Sequence, residues 1–408
     1  MASPNKIEAA APAAGNMVQR EAGDGRGSRP ARTARWIGFA VALVLLLAGP
    51  AAHAIESTAK QAFIIDFQTG TVLYAKEADT PMHPSSMSKL MTIYLVFERL
   101  KQGKIKLTDT LAVSERAWRM QGSKMFTPLN AQISIEDLLR GIIIQSGNDA
   151  CVVVAEGLAG SEEAFVQLMN QRATDLGLTH SHFANSTGWP DPNHMMTARD
   201  LAVLARHIIT DFPEYYHYFS EETFVFHGIK QGNRNPLLYK DFGADGLKTG
   251  HTEDAGFGLT ASTLRDGRRI IIVLNGLTSM QNRAEEGRRM MDWAYRETEN
   301  VQIAKAGQPL EEAPVWMGEQ PTVPLALAGN YVVTLPRGAR DTLKAKAVFD
   351  GPVPAPIAAG QLLGKLVINA PDMPPIEVPL VAANAVARLG PFGRAFTGLR
   401  HLIAGTRS

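Results

Sequence analysis

A serine and a lysine three residues apart, Ser86 and Lys89, stand directly ahead of an apolar run from Leu90 to Leu100. Residues at that spacing share one helix face, so the Ser86 hydroxyl and the Lys89 amine meet within a turn without help from the rest of the chain. Two further clusters follow, Ser146-Gly147-Asn148 and Lys248-Thr249-Gly250. Alone, each is an ordinary turn or a capped helix. Together and in that order they constrain the fold, because segments far apart in sequence must converge on one hydroxyl.

A serine hydroxyl is a weak nucleophile until a base removes its proton. Lysine serves as that base only as a neutral amine, and its reference pKa is near 10.4; lowering it to about 7 costs ~4 kcal/mol on the charged form. Desolvation by the apolar helix and a second cation, Lys248, are the two available sources. Among the neighbouring serines only Ser86 has a lysine three positions on; Ser85 meets Ser88 at that spacing. Gly147 permits a turn, from which the Ser146 hydroxyl could relay a proton between a lysine and a leaving amine, while the Asn148 amide holds a substrate carbonyl. Gly246 and Leu247 read as a loop entering a strand, with Lys248-Thr249-Gly250 leading into the strand region at Ala255. Gly250 removes a side chain where a substrate backbone could lie along a sheet edge. The Thr249 hydroxyl and Lys248 ammonium suit an anionic end group. These patterns describe acyl transfer by an active-site serine.

Charge gives no reason to expect a nucleic-acid partner: 41 Lys and Arg against 40 Asp and Glu, net +1. No HExxH, cysteine cluster or P-loop occurs, and His83, His194 and His207 are scattered, so neither a metal nor a cofactor is expected. Residues 1–54 read as a signal peptide: scattered arginines, an apolar stretch from Trp36 to Ala48, then the small-x-small site Ala52-His53-Ala54. The stretch falls short of the ~20 residues that span a bilayer, which favours cleavage over an uncleaved anchor; Met17 is an alternative start. Cys151 is the single cysteine, in an apolar helical stretch, and reads as a buried small hydrophobe.

Along residues 55–299, short strands at Ala62 to Asp66 and Thr71 to Ala75 flank a Gln68-Thr69-Gly70 turn. Pro84 and Ser85 are expected to break the chain and cap the helix carrying Ser86. Helical periodicity covers Ile135 to Gly141, Asp149 to Gly157, Glu162 to Leu176 and Arg199 to Ile209, with a loop from Asn185 to His194. Strand signals start at Ala255 and return from Ile270 to Leu274, before a helix from Asn282 to Arg296. The order implies an α+β fold, an antiparallel sheet covered by helices with an all-helical subdomain inserted. Residues 300–385 are proline-rich with β-branched runs such as Tyr331 to Leu335 and Leu362 to Ile368, the pattern of a small all-β domain. In residues 386–408, Leu389, Phe392, Phe396, Leu399, Leu402 and Ile403 recur at steps of three or four between Arg394, Arg400 and His401. A basic amphipathic helix of this kind associates with a membrane surface; a helix docked on the β-domain is the alternative.

The three clusters match the SxxK, SxN and KTG elements shared by penicillin-binding proteins and serine β-lactamases. Ser146-Gly147-Asn148-Asp149-Ala150 and Asp245 to Thr252 narrow this: from about Ala62 to Thr298 the chain resembles the low-molecular-mass D-alanyl-D-alanine carboxypeptidases. That resemblance implies the penicillin-binding/β-lactamase-like transpeptidase fold. It also implies an exported enzyme at the periplasmic face of the inner membrane, acting on peptidoglycan stem pentapeptides and acylated by β-lactams. It assigns the oxyanion donors to the backbone N–H groups of Ser86 and His251, and the terminal carboxylate to Arg283. Gln231 to Asn235 also resembles the family, with Arg234 open to a structural reading. No ExxxN-type loop like that of class A β-lactamases is present, which argues against rapid β-lactam turnover. A D,D-endopeptidase or β-lactamase of the same fold, or a non-catalytic wall scaffold, are the alternatives.

Overall fold

The computed structural model describes residues 55–239, 241–371 and 373–395. The expected signal peptide, and the tail beyond residue 395, lie outside the described residues.

Two short strands, β1 (Gln61–Asp66) and β2 (Val72–Lys76), form a hairpin, and the chain returns much later with β3 (Ala244–Thr252), β4 (Gly256–Arg265) and β5 (Arg268–Leu277). They make one antiparallel sheet in the order β2-β1-β5-β4-β3, so β3 is an edge strand. β5 is buried from Ile270 to Leu277, which accounts for its unbroken apolar stretch: a strand covered on both faces has no polar side to present.

Between β2 and β3 lies a helical insertion. Helices α1 (Lys89–Lys101), α2 (Ile135–Ile143), α3 (Asn148–Ala159), α4 (Glu162–Asp175) and α5 (Ala198–Asp211) share one core with the sheet. α1 is central: Leu90 to Phe97 are all buried, the pattern of a helix apolar all round. Each fully buried large side chain there contributes roughly 2 kcal/mol by leaving water. Ser134, Ser161 and Thr197 cap α2, α4 and α5 by accepting a backbone N–H three residues on. After β5, α6 (Met280–Glu297), capped by Ser279, packs along β4 and β5.

Strand Thr298–Ala304 follows α6 at once and pairs with Tyr331–Pro336, so the change in composition near Val301 falls inside a strand. A six-stranded sheet completes this all-β part, around a second core that includes Val323, Leu325, Leu335, Ile368 and Leu380. Arg268 links the two parts: its Nε meets the buried Asp66 carboxylate at 2.9 Å and its Nη1 donates to the Thr298 carbonyl at 2.7 Å. Residues 391–395 are helical, with Phe392 92% exposed. No helix among the described residues is long and apolar enough to cross a membrane.

Three expectations are corrected. Ser85 caps nothing: it adopts φ 50°, and its hydroxyl lies 3.2 Å from Thr252 Oγ1. Lys248-Thr249-Gly250 does not lead into a later strand but lies within β3 itself. Asn148 leaves the turn and opens α3. A hairpin, Thr223–Phe226 with Ile229–Gly232, and a short helix, Glu115–Arg119, add elements that periodicity did not signal.

Candidate active site

Ser85–Ser88 forms a 3₁₀ turn that runs straight into α1. Side chains three apart eclipse in such a turn, and Lys89 Nζ lies 2.9 Å from Ser86 Oγ. The turn is pinned from several sides. Ser88 Oγ donates to the Ser85 carbonyl at 3.0 Å, and Gly188 sits so close that a Cβ there would lie 2.0 Å from the same oxygen. The loop bearing Gly188 is itself anchored: Thr92 Oγ1 in α1 donates to the Ser186 carbonyl at 2.7 Å, and Asn185 Oδ1 accepts the backbone N–H of Thr187, Gly188 and Trp189.

Lys89 is fully buried and donates to three oxygens: Ser86 Oγ, Asn148 Oδ1 at 2.7 Å and the Thr187 carbonyl at 2.5 Å. An ammonium has three N–H groups. Loss of one proton leaves the bonds to Asn148 and Thr187 in place and turns a lone pair toward Ser86. Burial, with the Arg234 charge adding to it, lowers the Lys89 pKa to about 8. Lys248 is buried too; burial first, then Lys89 and Arg234, hold its pKa well below the ordinary lysine value. The Lys248 amine donates to the Thr249 carbonyl at 3.3 Å.

A cavity of about 360 Å³ opens over this group, lined in part by Ser86, Ser146, Thr249, His251, Phe257 and Arg283. Ser146 holds φ 65°, in the left-handed region, and its buried hydroxyl has no hydrogen-bond partner among the described residues. Such a conformation costs about 1–3 kcal/mol and is kept where the surroundings over-determine it. Arg283, in the first turn of α6, turns inward rather than to solvent and is 7% exposed; burial, then Arg234, lowers its pKa to about 10. Its guanidinium stands 5.8 Å from the Phe257 ring, on which His251 stacks at 4.0 Å.

All nine residues expected from the sequence gather here, Lys89, Asn148 and Lys248 directly behind the cavity wall. Two of them also make contacts that the sequence did not signal. Gly250 lines the cavity, and a Cβ on it would meet the Pro84 carbonyl at 2.9 Å and Ser85 Cβ at 3.1 Å, so this glycine also lets the nucleophile turn pack on β3. Asn148 spends its carbonyl on Lys89 and one amide proton on the Gln121 carbonyl at 2.8 Å. One amide proton is left for a ligand.

Sequence reasoning missed the Thr187 carbonyl and the steric demand at Gly188, and left Arg234 open. Arg234 donates to Ser123 Oγ at 2.6 Å and lines the same cavity. Asp149 carried a signal beside Asn148: its buried carboxylate accepts the backbone N–H of Met125 and Thr127 at 2.9 and 3.0 Å, holding the segment that bears Ser123. Burial pushes the Cys151 thiol up to about 12, so it is inert. His194 is buried, its pKa lowered to about 4 by burial. No metal-binding group of three or more His, Cys, Asp or Glu occurs among the described residues.

Comparison with known proteins gives a consistent result. Residues 48–278 match the model of the D-alanyl-D-alanine carboxypeptidase family, and residues 299–388 that of the penicillin-binding protein 5 C-terminal domain. The chain is 37% identical over 350 residues to the D-alanyl-D-alanine carboxypeptidase DacA of Haemophilus influenzae, covering 84% of this chain and 89% of the relative. It is 37% identical over 367 residues to DacC of Escherichia coli, covering 86% and 92%. The solved structure of penicillin binding protein 5 from Haemophilus influenzae aligns with a TM-score of 0.76 at 36% identity, covering 83% of this chain and all of that one.

Proposed function

The chain belongs to the D-alanyl-D-alanine carboxypeptidase family of serine peptidases, and from that premise we propose how its residues divide the work. It is a serine-type D-Ala-D-Ala carboxypeptidase with the penicillin-binding fold, α+β followed by a C-terminal all-β domain. Ser86 Oγ attacks the penultimate D-Ala carbonyl of a stem pentapeptide while neutral Lys89 takes its proton. The tetrahedral oxyanion is held by the backbone N–H groups of Ser86 and His251. It collapses to an ester on Ser86 as the terminal D-Ala nitrogen leaves, protonated through Ser146 from Lys89 or Lys248. Water then cleaves the ester and restores the hydroxyl. Arg283 and Thr249 receive the terminal carboxylate, which the guanidinium fork suits.

One observation carries this reading: a buried lysine amine 2.9 Å from Ser86 Oγ, its pKa brought to about 8. β-Lactams acylate the same hydroxyl and persist, because the ring-opened leaving group stays tethered in the site. The test is intact-mass spectrometry with a penicillin, together with D-Ala release from a pentapeptide. A single adduct on the wild type, absent from Ser86→Ala, and D-Ala release lost in the same variant are expected. An adduct surviving the substitution overturns the assignment. Cross-linked dimer as the preferred substrate over pentapeptide would favour endopeptidase action instead.

The protein is proposed to be exported and to sit on the periplasmic membrane surface. The support is the Arg-rich start, apolar stretch and Ala52-His53-Ala54 site, and a basic amphipathic tail whose described start exposes Phe392. Co-sedimentation of the mature chain with anionic vesicles, lost on deletion of residues 386–408, tests the tail.

A further inference from the structure

Glu162 opens α4 and is buried, at 6% exposure, although a carboxylate is costly to bury unless it is fully bonded. Its Oε1 accepts the Ser186 N–H at 3.0 Å and the Ser186 hydroxyl at 2.7 Å, and its Oε2 meets Arg116 Nη2 at 2.5 Å. The positive end of the α4 dipole favours a negative charge at this place. Every polar group of Ser186 is thereby bonded, since its carbonyl accepts from Thr92 Oγ1 at 2.7 Å. Thr92 stands three residues beyond Lys89 on the same face of α1. Lys89 itself bonds the next carbonyl of the loop, that of Thr187.

These bonds differ in what they hold. Asn185 Oδ1 accepts from the backbone of Thr187, Gly188 and Trp189, bonds that begin and end inside the loop and fix its shape. They leave open where the loop stands over α1. The bonds to Ser186 settle that, with α4 taking its N–H and hydroxyl and α1 its carbonyl. Of these partners Glu162 carries the charge, and hydrogen bonds to a charged group are the stronger kind.

The Thr187 carbonyl lies one peptide further on, and its place matters to the reaction. This carbonyl and Asn148 Oδ1 occupy two of the Lys89 N–H directions, and the third points at Ser86 Oγ. A carbonyl that drifts lets the amine turn about its last bond, and the lone pair then leaves the hydroxyl although Ser86 and Lys89 have not moved. A misplacement near ~1 Å at such a point costs on the order of 10²-fold in rate.

We propose that Glu162 is a positioning residue for acylation: by holding Ser186 from α4 it sets the Thr187 carbonyl on Lys89 and so aims the Lys89 lone pair at the Ser86 hydroxyl. This rests on the carboxypeptidase reading above, with Lys89 as its base, and adds to it a residue that touches neither substrate nor nucleophile.

The experiment is stopped-flow acylation by a chromogenic β-lactam over a range of concentrations from pH 6 to 10. It separates the binding constant from the acylation rate constant, and the label bound per protein is counted at the end. In Glu162→Ala the high-pH plateau of the rate constant should fall about 10- to 100-fold, with the binding constant within about twofold of wild type and full labelling. Reading the plateau keeps a moved Lys89 titration from passing as lost positioning. Glu162→Gln still offers an oxygen to both Ser186 donors and should recover the rate constant to within about threefold of wild type. Ser186→Ala loses the hydroxyl bond and keeps the N–H, so it should slow the step about three- to tenfold, and it decides the matter where Glu162→Ala does not fold. A wild-type rate constant in Glu162→Ala, or in Ser186→Ala where the former does not fold, overturns the proposal. So does a loss confined to the label count or to the binding constant, and so does a Gln variant as slow as the alanine one. A wild type that takes no label would instead overturn the carboxypeptidase reading on which it rests.

Discussion

If neutral Lys89 is the base, acylation must follow its titration. With a pKa of about 8, about one tenth of the molecules carry the free amine at pH 7 and about nine tenths at pH 9, so the rate constant should rise about tenfold and then level. The sign is fixed by chemistry: an ammonium has no lone pair to accept the Ser86 proton, so the low-pH side is the inactive one. Stopped-flow acylation by a chromogenic β-lactam, from pH 6 to 10, reads the limb directly. Two variants test the cause. Lys89→Arg keeps the charge but offers no base, and should lower acylation by about 10²–10⁴-fold. Arg234→Gln removes the cation that helps to press the Lys89 and Lys248 values down, so its limb should move to higher pH. A flat wild-type profile, or an Arg234→Gln limb shifted downward, would refute the reasoning.

Three further outcomes follow from the same structure. Gly188→Ala puts a Cβ 2.0 Å from the Ser85 carbonyl at φ 75°; differential scanning should report a loss of roughly 2–4 kcal/mol and acylation should fall with it, whereas wild-type values of both would show that the loop yields freely. Asp245→Asn breaks the Arg269 fork, whose two bonds measure 2.6 and 2.7 Å, beneath the start of β3. Urea titration should give roughly 2 kcal/mol less stability, and an unchanged midpoint would contradict the value assigned to this pair. For His194 the folded pKa of about 4 lies below the ordinary 6.5, so between those values the unfolded chain binds more protons. Its contribution is complete above about 6.5 and is lost as pH falls toward 4, on the order of 3 kcal/mol in all. His194→Gln should flatten that part of the stability profile, and an identical slope would exclude the histidine as its source.

Much of this was legible in the sequence because the chemistry is local. Ser86 and Lys89 meet through helical spacing alone, and the helices around them announce themselves by periodicity. Two kinds of information were not legible. Backbone groups have no residue-type signature, so the Thr187 carbonyl that holds Lys89 could not be read from letters. Steric demands between distant segments are equally silent: Gly250 read as clearance for a ligand, and nothing in the letters showed that it must also avoid Pro84 and Ser85. β3 was mistaken for a loop since Asp245, Gly246, Lys248 and Gly250 are poor strand formers. Pairing with β4 across Lys248↔Thr260 and Thr249↔Leu259 overrides that preference.

The cation cluster explains why two lysines and two arginines share so small a space. Burial first, with Arg234 adding to it, frees the Lys89 amine near neutral pH, while Lys89, Arg234 and Arg283 add to burial in holding Lys248 down. Asp149, the acid that pulls Lys89 the other way, is already spent on the Met125 and Thr127 amides. The same field draws in a substrate carboxylate, and here the two uses oppose each other. A carboxylate settling on Arg283 cancels part of the repulsion and favours the charged lysines again. The proton taken from Ser86 then has a more willing acceptor than in the empty site, while a smaller share of the enzyme begins in the neutral form. The apparent pKa of turnover should therefore lie above that of acylation by a β-lactam whose carboxylate is masked as an ester, and the difference between the two limbs measures how strongly the terminal carboxylate is felt at Lys89.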